Sequence, residues 1–450
     1  MKKRHIALAA LAFVGVGGAT AAYVATPTVH EGSPGEVPEL GRPGDFKVGT
    51  QEMTFALRDR VTFGKLDMAT GGTQTETREL QVRVYYPANP ASGAAPIAYS
   101  HTMEPPGMEP IVFDYEGRSF ADATPVDAGE YADQFPLVVM SHGFNGWSTQ
   151  FSNLAEHIAS RGYVVASIDH ADMKLEGATD FLHSFAKVLA SRSLDQRQVL
   201  AQILDNVAAE QDGPFALVDA KNIGMIGYSM GGYGALASAG GDYDYDSSTF
   251  DAVPDDAMAP VRAAADAETG IDAVIAFAPW GGQPDNRVWS SQGLAGITVP
   301  VLLVSGAEDD VSNFDEGVSW IFDQLSATNR HMLVYRNARH NIVGNALSFD
   351  DGAPFRAIEF MNEPVWRQDR INGINQHFVA AFLDRTLKGD EAMDAYLNVP
   401  TVDSNDGTWD IGFGEQLNGT VAGDEAPNHW RGFQRRWALG LEMRRKAVGE

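Results

Sequence analysis

The sequence contains no cysteine among its 450 residues. This absence excludes disulfide bonds, thiolate metal sites, a cysteine nucleophile and a lipid-modified cysteine. A zinc site is also disfavoured, because no H-E-x-x-H pattern occurs. We therefore predict a protein that needs neither a metal ion nor another cofactor.

Basic residues are scarce as well. The 33 lysines and arginines stand against 60 aspartates and glutamates, and the formal net charge is −27. A surface of this sign repels the phosphates of nucleic acids and of anionic lipids. No internal repeat occurs, which excludes a solenoid, and 44% of the residues are hydrophobic, enough for a large core. We predict a globular protein that does not bind nucleic acid.

Long apolar runs are confined to the first residues. The segment MKKRHIALAALAFVGVGGATAAYVAT has basic residues first, then an apolar stretch and small residues at the spacing of a signal-peptidase site. The apolar stretch is also just long enough to span a bilayer. We predict that residues 1–25 are a signal peptide or an N-terminal anchor, followed by a linker over residues 26–45. The protein is expected to be exported, periplasmic or secreted, and to meet a membrane only through such an anchor.

From residue 135 onward, short apolar runs alternate with helical patterns. Strands are predicted at PLVVMSHG, YVVASIDH, NIGMIGYS, IDAVIAFAP, VPVLLVSG and RHMLVYRNARH. This alternation predicts an α/β fold with a mostly parallel sheet and helices on both faces. Upstream, RELQVRVYYPA alternates like a strand, and residues 51–58 would be its hairpin partner. The segment between them and residue 135 has no clear period and predicts a stretch that wraps the surface.

These patterns define the domain boundaries that we expect. The α/β domain would cover residues 46–400, and residues 401–450 would form a C-terminal extension that packs on it. Two segments interrupt the core pattern near the predicted active edge, at about residues 240–270 and 342–371. Both are candidate lid insertions, because long insertions at such an edge often cover active sites.

A serine stands between two glycines in the stretch GYSMGG. Gly227, Ser229 and Gly231 fit G-x-S-x-G, directly after an apolar run and directly before a helical pattern. This strand–turn–helix setting is that of a nucleophile elbow. A Cβ at either flanking position would collide with the strand or the helix, which explains the glycines. The amino terminus of the following helix would favour an oxyanion. We predict that Ser229 is a nucleophile.

A serine hydroxyl needs an adjacent base, which is itself oriented by a carboxylate. The stretch VLLVSGAEDD ends a predicted strand with Asp309 and Asp310, and LVYRNARH ends the next with His340. Because the carboxyl ends of parallel strands meet at one edge, we expect these side chains near Ser229. The order Ser, acid, His is that of α/β-hydrolases. Either aspartate satisfies this argument.

The segment SHGFNG, residues 141–146, follows a predicted strand and resembles an oxyanion-hole loop. The backbone N–H groups of Phe144 and Met230 would hold the developing negative charge. Trp147 and Trp280 are candidates for an apolar substrate pocket, although core packing explains Trp280 equally well.

Other chemistry-bearing residues have simpler interpretations. His142 is expected to bond to nearby backbone, and His170 and Asp172 to play supporting or surface roles. The stretch GDYDYDSSTFD carries three aspartates at alternate positions, Asp242, Asp244 and Asp246. It lacks the glycine and the final glutamate of an EF-hand loop, so a solvated acidic loop is favoured over a calcium site.

Several of these stretches together indicate a family. HGFNGWSTQFSNLAEHIASRGYVVASIDHAD, GYSMGG, NARH and the APW after the fourth predicted strand resemble the bacterial predicted dienelactone hydrolases. Over residues 75–390 the chain is also similar to the α/β-hydrolase group that contains platelet-activating-factor acetylhydrolases and PET-degrading cutinases. The resemblance implies the α/β-hydrolase fold, with Ser229 as nucleophile and His340 as base.

The same resemblance bears on the acid and on the substrate. The family's G-x-x-D spacing from Gly306 selects Asp309, while some polyester hydrolases place the acid one residue later, which would be Asp310. Dienelactone hydrolases proper use a cysteine, which this chain lacks. The dienelactone substrate is therefore not carried over.

These observations predict an exported, metal-independent serine hydrolase that cleaves carboxylic esters through an acyl-enzyme intermediate, with a small-molecule or polymeric ester as its substrate. One alternative is an amidase or peptidase on the same fold. Another is a non-catalytic binding protein with a hydrolase fold, although such proteins typically lose a member of the triad and this chain has a candidate for each.

Overall fold

The structure, a computed structural model, describes residues 37–66, 72–104, 109–127, 129, 131, 134–172, 178–209, 212–265, 267–347, 355–408, 428–434 and 437–450. The predicted signal peptide or anchor lies outside these residues, as does the first part of the predicted linker, residues 26–36. No helix within the described ranges combines the length and the apolar character needed to cross a membrane.

An 11-stranded sheet forms the centre of the structure. The strands, in chain order, are β1 (Lys47–Leu66), β2 (Thr73–Asn89), β3 (Ala98–Met103), β4 (Ile111–Glu116), β5 (Phe120–Ala121), β6 (Thr124–Pro125), β7 (Phe135–Ser141), β8 (Val164–Asp169), β9 (Val218–Tyr228), β10 (Ala273–Phe277), β11 (Val301–Gly306), β12 (Arg330–Tyr335) and β13 (Leu441–Lys446). Their spatial order is β13-β12-β11-β10-β9-β7-β8-β2-β1-β5, with β6 beside β2 and with β3 and β4 in a separate two-stranded sheet.

The six adjacent strands from β8 to β12 are parallel to one another. Antiparallel strands flank this group, β2 beside β8 and β13 beside β12. Strands β7, β10 and β11 are buried along their whole length, which is why they occur as continuous apolar runs in the sequence. The predicted mostly parallel sheet is confirmed.

Helices cover both faces of the sheet. They are α1 (Ser152–Ser160), α2 (Ala178–Ala208), α3 (Met230–Ser238), α4 (Asp255–Ala264), α5 (Ser291–Leu294), α6 (Ser319–Gln324), α7 (Phe355–Met361), α8 (Gln368–Leu387) and α9 (Asp394–Leu397). Apolar side chains of α2 and α3, such as Leu189 and Leu236, belong to one core cluster. Those of α1 and α8, such as Ile158 and Phe378, belong to the other. This two-sided core is the arrangement expected from the sequence.

The hairpin predicted for residues 51–58 is present. β1 pairs antiparallel with β2, and its register places Gln51 opposite Val84 and Leu57 opposite Arg78. The stretch that was expected to wrap the surface contains the antiparallel strands β3 and β4, which the sequence did not reveal. Each of these strands buries only one side chain, Tyr99 or Phe113, and so leaves little periodic signal in the sequence.

Two terminal segments pack against this body. Within residues 401–450, β13 completes the edge of the sheet by pairing with β12. Within residues 37–45, the buried Leu40 donates its backbone N–H to Nδ1 of His377 at 3.1 Å, and Gly44 donates its N–H to the Ser160 hydroxyl at 2.8 Å.

Candidate active site

Ser229 lies between β9 and α3 in a backbone conformation that non-glycine residues rarely adopt. Its φ is 52° and its ψ is −114°. Three backbone hydrogen bonds hold the turn: the Ser229 N–H donates to the Phe277 carbonyl at 2.8 Å, and the Ser229 carbonyl accepts from Tyr233 at 3.0 Å and Trp280 at 3.2 Å. A strained residue costs about 1–3 kcal/mol and is typical of functional turns. The conformation fits a nucleophile elbow.

Crowding explains the glycines around Ser229. A Cβ on Gly227 would lie much closer to the carbonyl oxygen of Gly231 than their van der Waals radii allow. A Cβ on Gly231 would overlap in the same way with the carbonyl oxygen of Ser141, the last residue of β7. The turn therefore brings β7, β9 and α3 together more closely than any side chain would permit, as the sequence pattern predicted.

Asp309 and His340 form a pair at the ends of β11 and β12. Nδ1 of His340 lies 2.9 Å from Oδ2 and 3.0 Å from Oδ1 of Asp309. Oδ1 also accepts the backbone N–H groups of Val311 and Ser312, both at 2.9 Å, and the carboxylate is fully buried. A neutral His340 that donates its Nδ1–H to Asp309 keeps Nε2 as a proton acceptor.

Asp310 does not pair with His340. Its side chain is 55% exposed and pairs with Arg339 at the surface. Of the two aspartates that the sequence left open, the structure brings Asp309 to His340.

Tyr228 connects the turn of Ser229 to the segment that carries His340. It directly precedes Ser229, and its ring centroid lies 5.1 Å from that of His340. Its hydroxyl donates to Oδ1 of Asn341 at 3.2 Å. Burial, with the nearby charge of Asp309, raises the pKa of Tyr228, so the hydroxyl remains a donor. The Ser229 turn and the Asp309–His340 pair thus occupy the same edge of the sheet.

The loop after β7 runs directly past the serine. A methyl group on Gly143 would lie 3.3 Å from the Cβ of Ser229. Met230 begins α3, and the N–H groups in the first turn of a helix have no partner within the helix. Neither the Phe144 N–H nor the Met230 N–H has an acceptor among the described residues. Both groups are thus available to an oxyanion.

His142 holds this loop through its two ring nitrogens. Its Nδ1 lies 2.7 Å from the Gly143 carbonyl oxygen, and its Nε2 accepts the backbone N–H of His170 at 3.0 Å. Burial lowers the pKa of His142, which favours the neutral ring with the proton on Nδ1. The expected bonding of His142 to nearby backbone is confirmed.

A second layer lies beneath the loop. The Ser141 hydroxyl is 2.7 Å from Nε2 of His170, and Nδ1 of His170 is 3.0 Å from Asp195. Gln196 donates to the Ser141 hydroxyl at 2.8 Å and to the Gly231 carbonyl at 3.0 Å. Although this array also has a serine, a histidine and an aspartate, all three are buried and no substrate can reach them. It joins β7 to α2 and α3.

Comparison with known families agrees with this architecture. Residues 117–198 match the family model described as platelet-activating factor acetylhydrolase, isoform II. The matched segment includes β7, the loop that carries Phe144, and β8. The chain has the α/β-hydrolase fold.

The family match also bears on the type of enzyme. It supports a serine hydrolase of the esterase type. It covers less than a fifth of the chain and does not include Ser229, Asp309 or His340. The acetylhydrolase part of the predicted resemblance is supported, whereas the dienelactone-hydrolase part stays a prediction.

The two candidate pocket tryptophans have different surroundings. Trp280 is 7% exposed and belongs to an aromatic cluster beside the loop that carries Phe144. Its ring centroid lies 5.2 Å from that of Phe185, which in turn lies 6.1 Å from that of Phe144. Trp147 stacks on His101 at 3.9 Å, a residue of the β3–β4 hairpin. Its ring N–H donates to Tyr115 at 3.2 Å. The pocket roles of both tryptophans stay predictions.

The acidic loop and the candidate lids also have defined surroundings. Among the described residues, no three histidines, cysteines or acids lie close enough together to hold a metal ion. In the 240–270 segment, Tyr243 is buried and stacks on Tyr233 of α3 at 4.7 Å. In the 342–371 segment, α7 exposes Phe355 and Phe360, and residues 348–354 lie outside the described ranges. The lid roles stay predictions.

Arg192 was not identified from the sequence. Its guanidinium Nη2 donates to the Gly143 carbonyl at 3.2 Å and to Asp172 at 2.7 Å. Asp172 also accepts the Asn145 N–H at 2.9 Å, so it supports the loop, as expected. A signal did exist, because Arg192, Asp195, Gln196 and Val199 have the spacing of one helix face, and polar residues on a buried face require partners.

Proposed function

We propose that this protein is an exported serine esterase that cleaves carboxylic esters with Ser229 as nucleophile, His340 as general base and Asp309 as the orienting acid. The observation that carries the proposal is the pair of buried Asp309 and partly buried His340 at the same sheet edge as the strained turn of Ser229. A strained serine before a helix, with a carboxylate-bound imidazole at the same sheet edge, is the arrangement that activates a hydroxyl.

In the first half of the reaction, the hydroxyl oxygen of Ser229 attacks the ester carbonyl carbon while its proton moves to Nε2 of His340. The carbonyl π electrons move to oxygen, which becomes an oxyanion. The N–H groups of Phe144 and Met230 donate to this oxyanion, and each such donor typically lowers the barrier by about 3–4 kcal/mol.

In the second half, the tetrahedral intermediate collapses and breaks the bond to the alcohol oxygen, which takes the proton from His340. The acyl group remains bonded to Ser229. Water then attacks this acyl-enzyme while His340 accepts its proton, and a second collapse releases the carboxylic acid and restores Ser229. Asp309 stabilises the imidazolium formed in both halves without taking the proton.

The apolar part of the substrate needs a binding surface beside the reacting groups. Phe144, Phe185 and Trp280 form an aromatic wall next to the Phe144 N–H. We assign the apolar part of the ester to this wall. Trp147 is the weaker candidate, because its ring is covered by His101.

A fluorophosphonate probe tests the central claim, since it labels only an activated serine. We expect labelling of the wild type at Ser229, none in Ser229→Ala, and hydrolysis of p-nitrophenyl esters well above that of the matching anilides. An unlabelled wild type would indicate a binding protein, and preferential anilide cleavage would indicate an amidase.

Export is tested separately. The signal-peptide pattern of residues 1–25 supports it. We expect protein recovered outside the cytoplasm to begin shortly after the small residues that precede Tyr23, as read by amino-terminal sequencing. An intact terminus in the membrane fraction would favour the anchor.

A further inference from the structure

The peptide unit that carries the Phe144 N–H is held from its other side. Its carbonyl belongs to Gly143, and in a trans peptide the C=O and N–H point in opposite directions. No peptide bond among the described residues is cis. The Gly143 oxygen accepts from Nδ1 of His142 at 2.7 Å and from Nη2 of Arg192 at 3.2 Å. Fixing this oxygen therefore fixes the direction of the Phe144 N–H.

Arg192 lies near the middle of α2, and its side chain extends to the Gly143 oxygen. Its side chain is 1% exposed, and that of its partner Asp172 is 3% exposed. The Arg192 side chain packs against α3 at Gly234. A Cβ on Gly234 would lie only 2.7 Å from Cγ of Arg192, so the glycine leaves room for the arginine. Asp172 compensates the buried charge and accepts the N–H of Asn145, the residue after Phe144. The guanidinium and the carboxylate thus hold both peptide units next to Phe144.

We propose that Arg192 is a positioning residue of the esterase reaction, which orients and polarises the Gly143–Phe144 peptide so that the Phe144 N–H stabilises the oxyanion. A charged donor on a carbonyl oxygen draws electron density across the peptide and strengthens the N–H on the other side as a donor. The inference rests on the proposed function, because it needs Ser229 as nucleophile and Phe144 as an oxyanion donor.

The alternative is that Arg192 only stabilises the loop. The two roles differ in what they change. A stabilising residue affects the melting temperature and the fraction of active enzyme, whereas a polarising residue affects the acidity of the group that occupies the oxyanion position. A trifluoromethyl ketone reports that acidity, because Ser229 adds to its carbonyl and forms a hemiketal whose hydroxyl can ionise in the oxyanion hole.

The test uses the double variant Arg192→Met with Asp172→Asn, which removes both charges together and avoids an unpaired buried carboxylate. The asparagine keeps an acceptor for the Asn145 N–H. The control is Arg197→Met on the same helix, since Arg197 also donates to backbone carbonyls, those of Ala237, Ala264 and Ala267. Melting temperature and titration with a fluorophosphonate establish the folded, active fraction.

For p-nitrophenyl acetate, we expect the double variant to lower kcat per active site by roughly ten- to a hundredfold and to change KM by less than about threefold. The hemiketal pKa, read by ¹⁹F NMR across a pH titration, should rise by about one unit as the oxyanion loses stabilisation. Arg197→Met should match the wild type in both.

Unchanged kcat in the folded double variant would overturn the proposal, and so would a lower kcat with an unchanged hemiketal pKa. If the double variant does not fold, Arg192→Lys decides, because lysine keeps the charge but has no fork of donors. It should lower kcat about three- to tenfold with a raised hemiketal pKa, and wild-type values would contradict the proposal. If the wild type itself forms no adduct, the proposed function fails instead.

Discussion

The imidazole of His340 contacts Asp309 and not Asp310, although both aspartates follow β11. Nδ1 of His340 is 2.9 Å from the nearer Asp309 oxygen, while Asp310 is paired with Arg339 at the surface. The neighbours therefore have different expected roles. Asp309→Asn should lower kcat for p-nitrophenyl acetate by about 10³- to 10⁴-fold, because an amide can stabilise the wrong tautomer of the histidine.

Asp310→Asn is the matched control for this change. It removes the same charge one residue away and should leave kcat within about threefold, since exposed ion pairs contribute little. Steady-state rates of both variants at pH 8, corrected by titration of active serine, provide the measurement. A loss of activity in Asp310→Asn with an active Asp309→Asn would reverse the assignment of the acid.

The elbow glycines give a prediction about stability. Gly231→Ala would push a methyl group into the Ser141 carbonyl, and both groups belong to rigid backbone. We expect a loss of about 3 kcal/mol or more in the free energy of unfolding, at the upper end of overpacking effects. Urea unfolding measures it.

Gly373→Ala serves as its control. Gly373 lies within α8, and the nearest atom to an added Cβ is in the Val37 side chain at 3.4 Å, an ordinary contact. Alanine is the better helix former there, so a gain of about 0.5–1 kcal/mol is expected. Equal losses in the two variants would show that the elbow is not specially crowded.

Much of the fold was predictable because its signals are local. The continuous apolar runs at β7, β10 and β11 indicate strands buried on both faces, and the glycines around Ser229 indicate one tight turn. β13 was harder to predict from the sequence. Its sequence LEMRRK buries only Leu441 and Met443 of six residues, because it is an edge strand.

The residues that pair beneath the loop after β7 could not be matched to one another from the sequence, because the partners are distant along the chain. Asp195 of α2 is buried and bonds to Arg60 at 3.0 Å and Arg78 at 2.8 Å, residues of the first hairpin. A helical period reveals which face is buried, but it does not reveal which charge compensates a buried charge. The same holds for Arg192 and Asp172, which are 20 residues apart in the sequence and whose pairing a helical period does not reveal.

The surroundings of the two tryptophans lead to opposite expectations. Trp280→Ala should change the dependence of kcat/KM on acyl length in a series of p-nitrophenyl esters, because Trp280 packs in the aromatic cluster beside the Phe144 loop. We expect a shift of about tenfold in the ratio of long to short chains, since each methylene contributes about 1 kcal/mol.

Trp147→Ala should instead lower stability by about 3–5 kcal/mol and leave that ratio unchanged. Its ring stacks on His101 and bonds to Tyr115, so its removal disrupts the packing of the hairpin. Thermal unfolding and the ester series, run on both variants, separate the two effects. A changed acyl-length profile in Trp147→Ala alone would move the pocket to the other side of the loop.

Acid should destabilise the fold through His377. This residue is fully buried, and its Nδ1 must be unprotonated to accept the Leu40 N–H. Burial, with the positive charge of Arg161, lowers the pKa of His377 to about 3, whereas an unfolded histidine has a pKa of about 6.5. The unfolded chain therefore binds the proton first, and the contribution is complete above pH 6.5 and declines as the pH falls toward 3.

His377→Asn keeps an acceptor for the Leu40 N–H and removes the titrating group. Between pH 7 and pH 5, the wild type should lose up to about 2 kcal/mol more unfolding free energy than this variant, as urea unfolding would show. The difference between the two proteins is the relevant quantity, since burial also lowers the pKa of His157 and of His331. Equal losses would mean that His377 is protonated, or already free of Leu40, within the folded protein at pH 5.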